Sequence, residues 1–193
     1  MEYLEFEDRP HPYDDQYYEY FDQFERGELI QLMDLLKELD KLDPTYMHPI
    51  LSIADLLYEI GNEKEGDAHI AEAYRRVVEI VCVNGKWPDR LIWGWLENRH
   101  LLRAIEAYGD MLWRRGTPNE ALAVYRQMLQ LNPYDNQGVR FKMLAIRMNF
   151  TFLEHESHNE SDNDSANFWM RQFDTYASEF PNDFQDWLAK YGD

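Results

Sequence analysis

The stretch "RRGTPNEALAVYRQMLQLNP", residues 114–133, decides the fold of this chain. Its apolar side chains Ala121, Tyr125 and Met128 recur at helical spacing, so they lie on one face of a helix. Gly116 precedes this helix, and a proline closes the stretch. Glycine readily takes the left-handed conformation that ends a helix, and proline stops a helix from continuing. The stretch therefore predicts an amphipathic helix with another helix directly before it.

The same spacing recurs twice more in the chain. Small or apolar residues follow five, nine and twelve positions after Gly27, Gly61 and Gly116. Gly27 and Gly61 are 34 residues apart, and Gly61 and Gly116 are 55 apart, which equals 34 plus an insertion of 21. A 34-residue period is typical of helix pairs stacked in an array. The quoted stretch is therefore interpreted as the second helix of a repeated helix–turn–helix unit.

Each full unit also carries small residues where its two helices would cross. Ala54 and Gly109 fall in the first helices, and Gly66 and Ala121 fall at matching positions of the second helices. Small side chains let two helix backbones approach closely, and the larger apolar residues fill the space around them. We expect the 21-residue insertion to form a short extra turn or to lengthen the helix that follows it.

On these residues the chain resembles the tetratricopeptide-repeat (TPR) family over 102–135, 47–80 and 27–44. The resemblance implies an all-α fold, a TPR-like antiparallel array of helix pairs (an α-α superhelix) over residues 1–153. The segments "GWLENRHLLRA" and "LQLNPYDNQGVR" are also similar to a group of uncharacterised bacterial repeat proteins. That second resemblance implies no activity.

The C-terminal part of the chain is predicted to cap this array. Asp135 is predicted to cap one helix over "NQGVRFKMLAIRMNFTFLE", and residues 154–167 are predicted to form an acidic loop. Residues 168–193 are predicted to form two aromatic capping helices of the same compact domain. We expect Pro181 to separate these helices and Asp183 to cap the second. The aromatic stripe of the first is interpreted as core.

The formal net charge of −18 is distributed unevenly along the chain. Residues 1–25 hold nine acids and one base, and residues 154–193 hold ten acids and two bases. Residues 99–147 hold eight bases and four acids, so a basic segment lies between two acidic ends. An acidic chain repels nucleic-acid phosphate and anionic lipid, and no apolar run is long enough to span a membrane. Neither nucleic acid nor a membrane is therefore an expected partner.

The expected location is cytoplasmic. Cys82 is the only cysteine, which excludes an intramolecular disulfide and suits a reducing compartment. Its apolar neighbours predict a small buried side chain rather than a nucleophile. Residues 1–10 are acidic and lack an apolar core, so no signal peptide is predicted.

Signals for catalysis and metal binding are weak. The sequence contains no nucleophile-elbow, phosphate-loop or dinucleotide-binding pattern. His100 with Glu97 has the residue types for acid–base work, and His155 with His158 has metal-ligand spacing, with Glu154 and Asp162 nearby. A satisfied histidine at a helix start and a polar loop explain these residues more simply. We therefore predict no catalytic residue, metal or cofactor, and no enzyme activity.

The TPR resemblance implies a peptide-binding groove instead. First helices line the concave face of TPR arrays, and this face would hold an acidic or C-terminal peptide segment. Arginine binds carboxylates through two parallel hydrogen bonds, and Trp113 and Phe141 would serve as apolar anchors. An alternative is that the acidic C-terminal tail of the chain neutralises the arginines, or that they pair with Glu97, Glu106 and Asp110 along the helices. The predicted peptide-binding residues are Arg103, Asp110, Trp113, Arg114, Gln137, Arg140, Phe141 and Arg147.

The sequence thus favours a non-enzymatic protein–protein interaction module that binds a protein or peptide partner. Two alternatives stay open: a cytoplasmic chaperone or adaptor for a secreted protein, and an acidic inhibitor of a basic partner. A hydrolase or metal enzyme centred on the histidines is a further alternative class. The partner and the oligomeric state are not defined by the sequence.

Overall fold

The computed structural model describes residues 4–23, 29–159 and 164–192. These residues are mostly helical, so the predicted all-α class is confirmed. Within these ranges there are two short strands, β1 (Glu5–Phe6) and β2 (Arg90–Leu91), and 3₁₀ turns at Leu96–Asn98 and Ala177–Glu179. The helices are α1 (Asp14–Gln23), α2 (Leu29–Leu42), α3 (Met47–Glu59), α4 (Glu63–Val81), α5 (Arg99–Arg114), α6 (Pro118–Leu131), α7 (Val139–Arg147), α8 (Phe152–Asn159), α9 (Asp164–Tyr176) and α10 (Pro181–Tyr191).

Contacts divide the chain into two units, Met1–Tyr108 and Gly109–Asp193. The boundary falls inside α5, whereas the sequence analysis placed divisions after residues 153 and 167. In the first unit α1 packs on α2, α2 on α3, and α3 on α4. In the second unit α6 packs on α7, and α9 contacts both α7 and α8. None of the helices within 4–23, 29–159 and 164–192 is long and apolar enough to cross a membrane.

Two of the repeat glycines end helices as predicted. Gly61 follows α3 and Gly116 follows α5, each with a φ of +79°. In both turns the glycine N–H donates to the carbonyl three residues back, at 3.0 Å. The next N–H donates to the carbonyl five residues back, at 2.8 Å after α3 and 3.0 Å after α5. These bonds satisfy carbonyls that the helix leaves open. Gly27 lies outside the described residues.

Close approach explains the small residues inside the helices. A Cβ at Gly109 would lie 2.5 Å from the Tyr125 ring, and a Cβ at Gly66 would lie 3.2 Å from the carbonyl oxygen of Ala54. Ala54 and Ala121 are fully buried. The predicted small residues therefore lie where the neighbouring helix leaves little room for a larger side chain.

The insertion before α5 contains a short extra turn, which was one of the two predicted forms, and also a strand that was not predicted. It forms β2 and the 3₁₀ turn, and β2 pairs in parallel with β1, with Glu5 opposite Arg90 and Phe6 opposite Leu91. Strands of two residues are too short to show a period of two in the sequence. The insertion therefore fastens the N-terminal segment rather than merely lengthening a helix.

The helix after Pro133 begins later and is shorter than predicted. The N-cap position is Gly138, three residues later than predicted. The Asp135 carboxylate still accepts hydrogen bonds from the first N–H groups of the helix, those of Val139 (2.7 Å) and Arg140 (3.2 Å). The single helix predicted over 136–154 is wrong, because Asn149 takes a φ of +63° and separates α7 from α8. The acidic loop predicted over 154–167 is helical at both ends, because α8 continues to residue 159 and α9 begins at residue 164. Residues 160–163 lie outside the described residues.

The last helix begins at Pro181, as the sequence predicts, but Asp183 does not cap it. The Asp183 carboxylate accepts hydrogen bonds from Arg126 and Arg147, each at 2.5 Å. Its side chain is 1% exposed. The carboxylate pairs with the arginines rather than capping the helix, because leaving a buried charge unpaired costs more free energy than losing a helix cap.

Aromatic residues form the core of the C-terminal helices. Trp169, Phe173 and Phe184 are buried, with Phe173 packed edge-on to Phe184 at 5.0 Å between ring centroids. The interpretation of this stripe as core is confirmed for the buried members, while Tyr176 and Phe180 are half-buried.

Candidate functional site

The first unit contains a pocket of about 500 Å³ with charged and aromatic walls. The segment before α1, α1 itself, α3 and the start of α5 all contribute to it. We call it the N-terminal pocket, defined by Pro10, His11, Pro12, Asp14, Asp15, Tyr18, Tyr46, His48, Leu96, Glu97, Arg99, His100 and Arg103.

A buried histidine–carboxylate cluster underlies this pocket. His11 Nδ1 lies 2.8 Å from Asp43 Oδ2, and His11 Nε2 lies 3.2 Å from Asp8 Oδ2. His100 Nε2 lies 3.0 Å from the same oxygen of Asp8. Since an ionised carboxylate only accepts hydrogen bonds, both ring nitrogens of His11 carry hydrogens. His11 is therefore an imidazolium held between two aspartates.

The pKa shifts agree with this charge assignment. Burial alone would lower the pKa of His11, but hydrogen bonds to Asp8 and Asp43 raise it above its usual value. Burial alone would raise the pKa of each aspartate. Hydrogen bonds from His100 and His11 instead hold the pKa of Asp8 far below its usual range, and those from His11 and Thr45 lower that of Asp43.

His100 carries its proton on Nε2. The backbone N–H of Met47, at the start of α3, donates to His100 Nδ1 at 3.1 Å. Because a backbone N–H only donates, Nδ1 holds a lone pair and the neutral ring has its hydrogen on Nε2, facing Asp8. Burial lowers the pKa of His100 and keeps the ring neutral.

One group in the described part of the chain has the geometry of metal ligands, namely Asp8, His11 and His100. Their ligand atoms lie 3.0–3.2 Å apart. A metal on His100 Nε2 would need the lone pair there, which moves the hydrogen to Nδ1 and sets it against the Met47 N–H. The orientation of His100 therefore fits a hydrogen-bonded cluster and does not suit a metal ligand.

Asn98 fastens the N-terminal segment beside this cluster. Its fully buried side chain donates from Nδ2 to the carbonyl oxygens of Phe6 (2.9 Å) and Ile92 (3.2 Å). Its Oδ1 accepts the backbone N–H of Asp8 at 3.0 Å. Asn98 and the histidine cluster together place His11 and the two prolines beside it at the pocket.

Two arginines on α5 form the cationic wall of the pocket. Arg99 and Arg103 are one helical turn apart and lie over the same indole, 5.2 Å and 5.6 Å from the Trp93 ring centroid. Arg99 Nε also donates to the Trp93 carbonyl oxygen at 3.2 Å, and Arg103 Nη1 donates to His48 Nε2 at 3.2 Å. Neutral groups therefore orient both guanidiniums without cancelling their charge.

These two arginines differ from other arginines of the chain. Within the described ranges, neither Arg99 nor Arg103 has a carboxylate oxygen within 4.0 Å. Arginines that do form ion pairs with carboxylates are Arg9, Arg75, Arg76, Arg126, Arg140 and Arg147. In a chain with 37 acids and 19 bases, two adjacent uncompensated arginines in one pocket provide a site for an anion.

His48 is the buried neutral base of the pocket. It is 8% exposed and stacks on Tyr17 with ring centroids 5.2 Å apart. Burial, followed by repulsion from the Arg103 and His11 cations, lowers the pKa of His48 to about 3. The Arg103 hydrogen bond to Nε2 requires the same neutral form.

We expect His48→Gln to reduce the amount by which the free energy of unfolding falls as the pH is lowered. A histidine with a depressed folded-state pKa stabilises the fold above its unfolded pKa, near 6.5, and this stabilisation falls as the pH drops toward the folded value. Between pH 7 and pH 5 the wild type should lose about 2 kcal/mol more than the variant. Urea unfolding at both pH values measures this difference. His69→Gln, on α4, is the control, and an equal pH dependence in wild type and His48→Gln would contradict the assignment.

Exposed apolar side chains border the same pocket. Tyr18 is 51% exposed and Leu96 is 65% exposed, and both contribute to its wall. Water-exposed aromatic and aliphatic groups beside an arginine pair are the composition of protein-binding surfaces.

Of the predicted peptide-binding residues, Arg103 lines this pocket and the other seven belong to the second unit. Asp110 accepts hydrogen bonds from Tyr125 Oη (2.5 Å) and Lys142 Nζ (2.8 Å). Trp113 is buried, and its Nε1 donates to the Phe150 carbonyl oxygen at 3.3 Å. These two residues therefore serve internal contacts.

Two predicted groove arginines pair with acids of the chain itself. Arg140 binds Asp135 at 2.6 Å, and Arg147 binds Asp183 at 2.5 Å. The alternative of neutralisation by the acidic tail is thus observed for Arg147, whereas Arg140 pairs with Asp135, an acid that the alternative did not name. A charge count along the sequence does not show which acid approaches which base.

The remaining predicted residues lie against aromatic rings or are half-buried. Arg114 lies over the Phe152 ring at 4.8 Å, and Phe141 packs edge-on to Phe173 at 5.9 Å. Gln137 is half-buried next to α7. Each of them contributes to the packing of the second unit.

The other histidine pair considered as a metal site lies among aromatic rings. His155 is buried with its ring centroid 4.9 Å from that of Trp169, and His158 stacks on Phe168 at 4.5 Å. Both rings therefore contribute to packing in the second unit. Asp162 lies outside the described residues.

Sequence reasoning singled out His100 and Glu97 but missed Asp8, His11 and Asp43. A histidine between two prolines after a run of acids is a visible signal for His11, but nothing in the sequence joins it to residues 32 and 89 positions away. That connection depends on tertiary structure.

No protein-family model matches the chain, and no curated protein or solved structure matches it either. The class of protein is therefore defined by its own geometry. It is an all-α protein whose first unit holds a pocket with a cationic wall above a satisfied histidine cluster.

Proposed function

We propose that the protein is a non-enzymatic protein–protein interaction module that binds a carboxylate-bearing peptide segment in the N-terminal pocket. The observation that carries this proposal is the pair Arg99 and Arg103, oriented over Trp93 without a carboxylate partner among the described residues. Guanidiniums held in place before binding lose little conformational freedom when a carboxylate arrives. The partner is a protein or peptide that offers such a group.

A TPR-like array is the architecture we propose for this module. The repeated helix ends at Gly61 and Gly116 support it, as do the buried small residues Ala54 and Ala121. A helix array suits peptide binding because side chains from successive helices meet on one surface.

Binding is favoured over acid–base catalysis by the state of the two histidines. Both ring nitrogens of His11 are bonded to Asp8 and Asp43, and those of His100 are bonded to Met47 and Asp8. A general acid or base needs a nitrogen that can reach the substrate proton. These rings instead hold the N-terminal segment in place.

The test is a selection of twelve-residue peptides by display on the wild-type protein, followed by calorimetry of the selected sequences. We expect the selected peptides to bear a carboxylate. We expect Arg99→Gln/Arg103→Gln to weaken their binding by more than about tenfold, because each charged hydrogen bond contributes about 1.5–3 kcal/mol.

A variant with the same change of charge serves as the control. Arg75 is ion-paired on the surface of α4 and Arg171 is exposed on α9, so Arg75→Gln/Arg171→Gln leaves the pocket unchanged. The control should bind as the wild type does. Peptides that bind the Arg99→Gln/Arg103→Gln protein with unchanged affinity would show that the pocket is not the site.

A further inference from the structure

The N-terminal pocket carries negative as well as positive side chains. Asp14 and Asp15 line it from the start of α1, and Glu97 lines it from the 3₁₀ turn before α5. Within the described ranges, the side chains of Asp15 and Glu97 make no hydrogen bond or ion pair. The acidic wall is therefore as uncompensated as the arginine wall.

The two walls do not neutralise each other. No carboxylate oxygen of Asp15 or Glu97 lies within 4.0 Å of the Arg99 or Arg103 guanidinium in the described structure. The arginines are held away by Trp93 and His48, and Asp14 accepts a hydrogen bond from the Tyr46 hydroxyl. Opposite charges thus line one pocket at separate positions.

We infer that the ligand carries both charges: a peptide segment with a carboxylate for Arg99 and Arg103 and a lysine or arginine side chain for Asp15 and Glu97. This inference rests on the proposed function and narrows its ligand class. A cation on the same peptide fills the acidic wall, whereas a purely anionic peptide would leave that wall unpaired and be repelled by it.

The charge of the whole protein supports the same ligand. With a net charge of −18, the protein repels any strongly anionic segment, and the repulsion is strongest where acids line the site. A segment whose charges balance avoids this long-range repulsion and still gains both local ion pairs. Recognition then depends on the spacing of the two charges along the peptide, which gives specificity.

The experiment uses acetylated octapeptides of alanine and leucine that carry one carboxylate. A single lysine is placed in turn at each of the other positions, and each lysine peptide is compared with an analogue that has norleucine at the same position. In one arm the carboxylate is the C-terminus; in the other it is a glutamate side chain in an amidated peptide. Calorimetry compares the wild type with Arg99→Gln/Arg103→Gln and with Asp15→Asn/Glu97→Gln. Circular dichroism melting checks that each variant is folded.

We expect the best lysine peptide to bind the wild type at least about tenfold more tightly than its norleucine analogue. Asp15→Asn/Glu97→Gln should remove that preference, and Arg99→Gln/Arg103→Gln should weaken both peptides. The tighter-binding arm identifies the source of the carboxylate.

Equal binding of lysine and norleucine peptides to the wild type would overturn the two-charge ligand. If Arg99→Gln/Arg103→Gln still weakened both peptides, the proposed carboxylate site would stand without it. Affinities unchanged by either double variant would overturn both proposals together.

Discussion

Replacing Asn98 by alanine should release the N-terminal segment and lower the free energy of unfolding by about 3 kcal/mol. The fully buried side chain of Asn98 bonds three backbone groups, the carbonyls of Phe6 and Ile92 and the N–H of Asp8. Alanine leaves all three backbone groups without this partner, and each buried group that loses its hydrogen bond lowers the free energy of unfolding. Urea unfolding measures the loss, and hydrogen exchange at Asp8 measures the release.

The matched control is Asn119→Ala, at an exposed position of α6. It should change the unfolding free energy by less than about 0.5 kcal/mol. If the Asp8 amide stayed as protected in Asn98→Ala as in the wild type, the segment would be held by β1 pairing and His11 alone. The role assigned to Asn98 would then be wrong.

Replacing Asp183 by asparagine should lower the free energy of unfolding by about 3 kcal/mol. The buried carboxylate binds Arg126 and Arg147, whose side chains are 37% and 30% exposed, so the effect lies at the low end of the range for buried pairs. Asparagine keeps the shape but removes the charge that both guanidiniums require. Urea unfolding followed by near-ultraviolet circular dichroism reports on the aromatic core of α9 and α10.

The pH dependence gives this prediction a second measurement. Burial alone would raise the pKa of Asp183, but hydrogen bonds from Arg147 and Arg126 lower it. Its stabilisation is therefore present above the unfolded pKa, near 3.9, and is lost as the pH falls through the lower folded value. Asp183→Asn should lack this acid-sensitive part. Asp186→Asn, exposed on the same helix, is the control; an equal loss in both variants would contradict the ion-pair assignment.

Local patterns in the sequence predicted the helix ends well. Gly61 and Gly116 lie where the sequence analysis placed helix ends, and the Asp135 carboxylate bonds the first N–H groups of α7 although the N-cap is Gly138. These features depend on hydrogen bonds that reach about five residues along the chain, so the relevant partners are close in sequence. The single helix predicted across Asn149 failed because a left-handed asparagine leaves no signal in an apolar pattern.

The charged residues of the candidate site were predicted only in part. Arg103 was named from its place in the repeat, but Arg99 was not, although the two are one turn apart on α5. Arg140 and Arg147 looked equivalent to Arg103 in the sequence, and internal acids pair with both of them. Composition reports how many charges a segment carries, whereas pairing depends on which acid the fold brings close.

By itself, the sequence determined the all-α class, the positions of the repeat turns and the acidic balance of the chain. Only the tertiary structure decided that Asp8, His11 and His100 meet, across a separation of up to 92 residues. The physical reason is the range of the forces involved. Helix ends follow from backbone bonds between near neighbours, but a buried imidazolium is stable only where distant carboxylates converge on it.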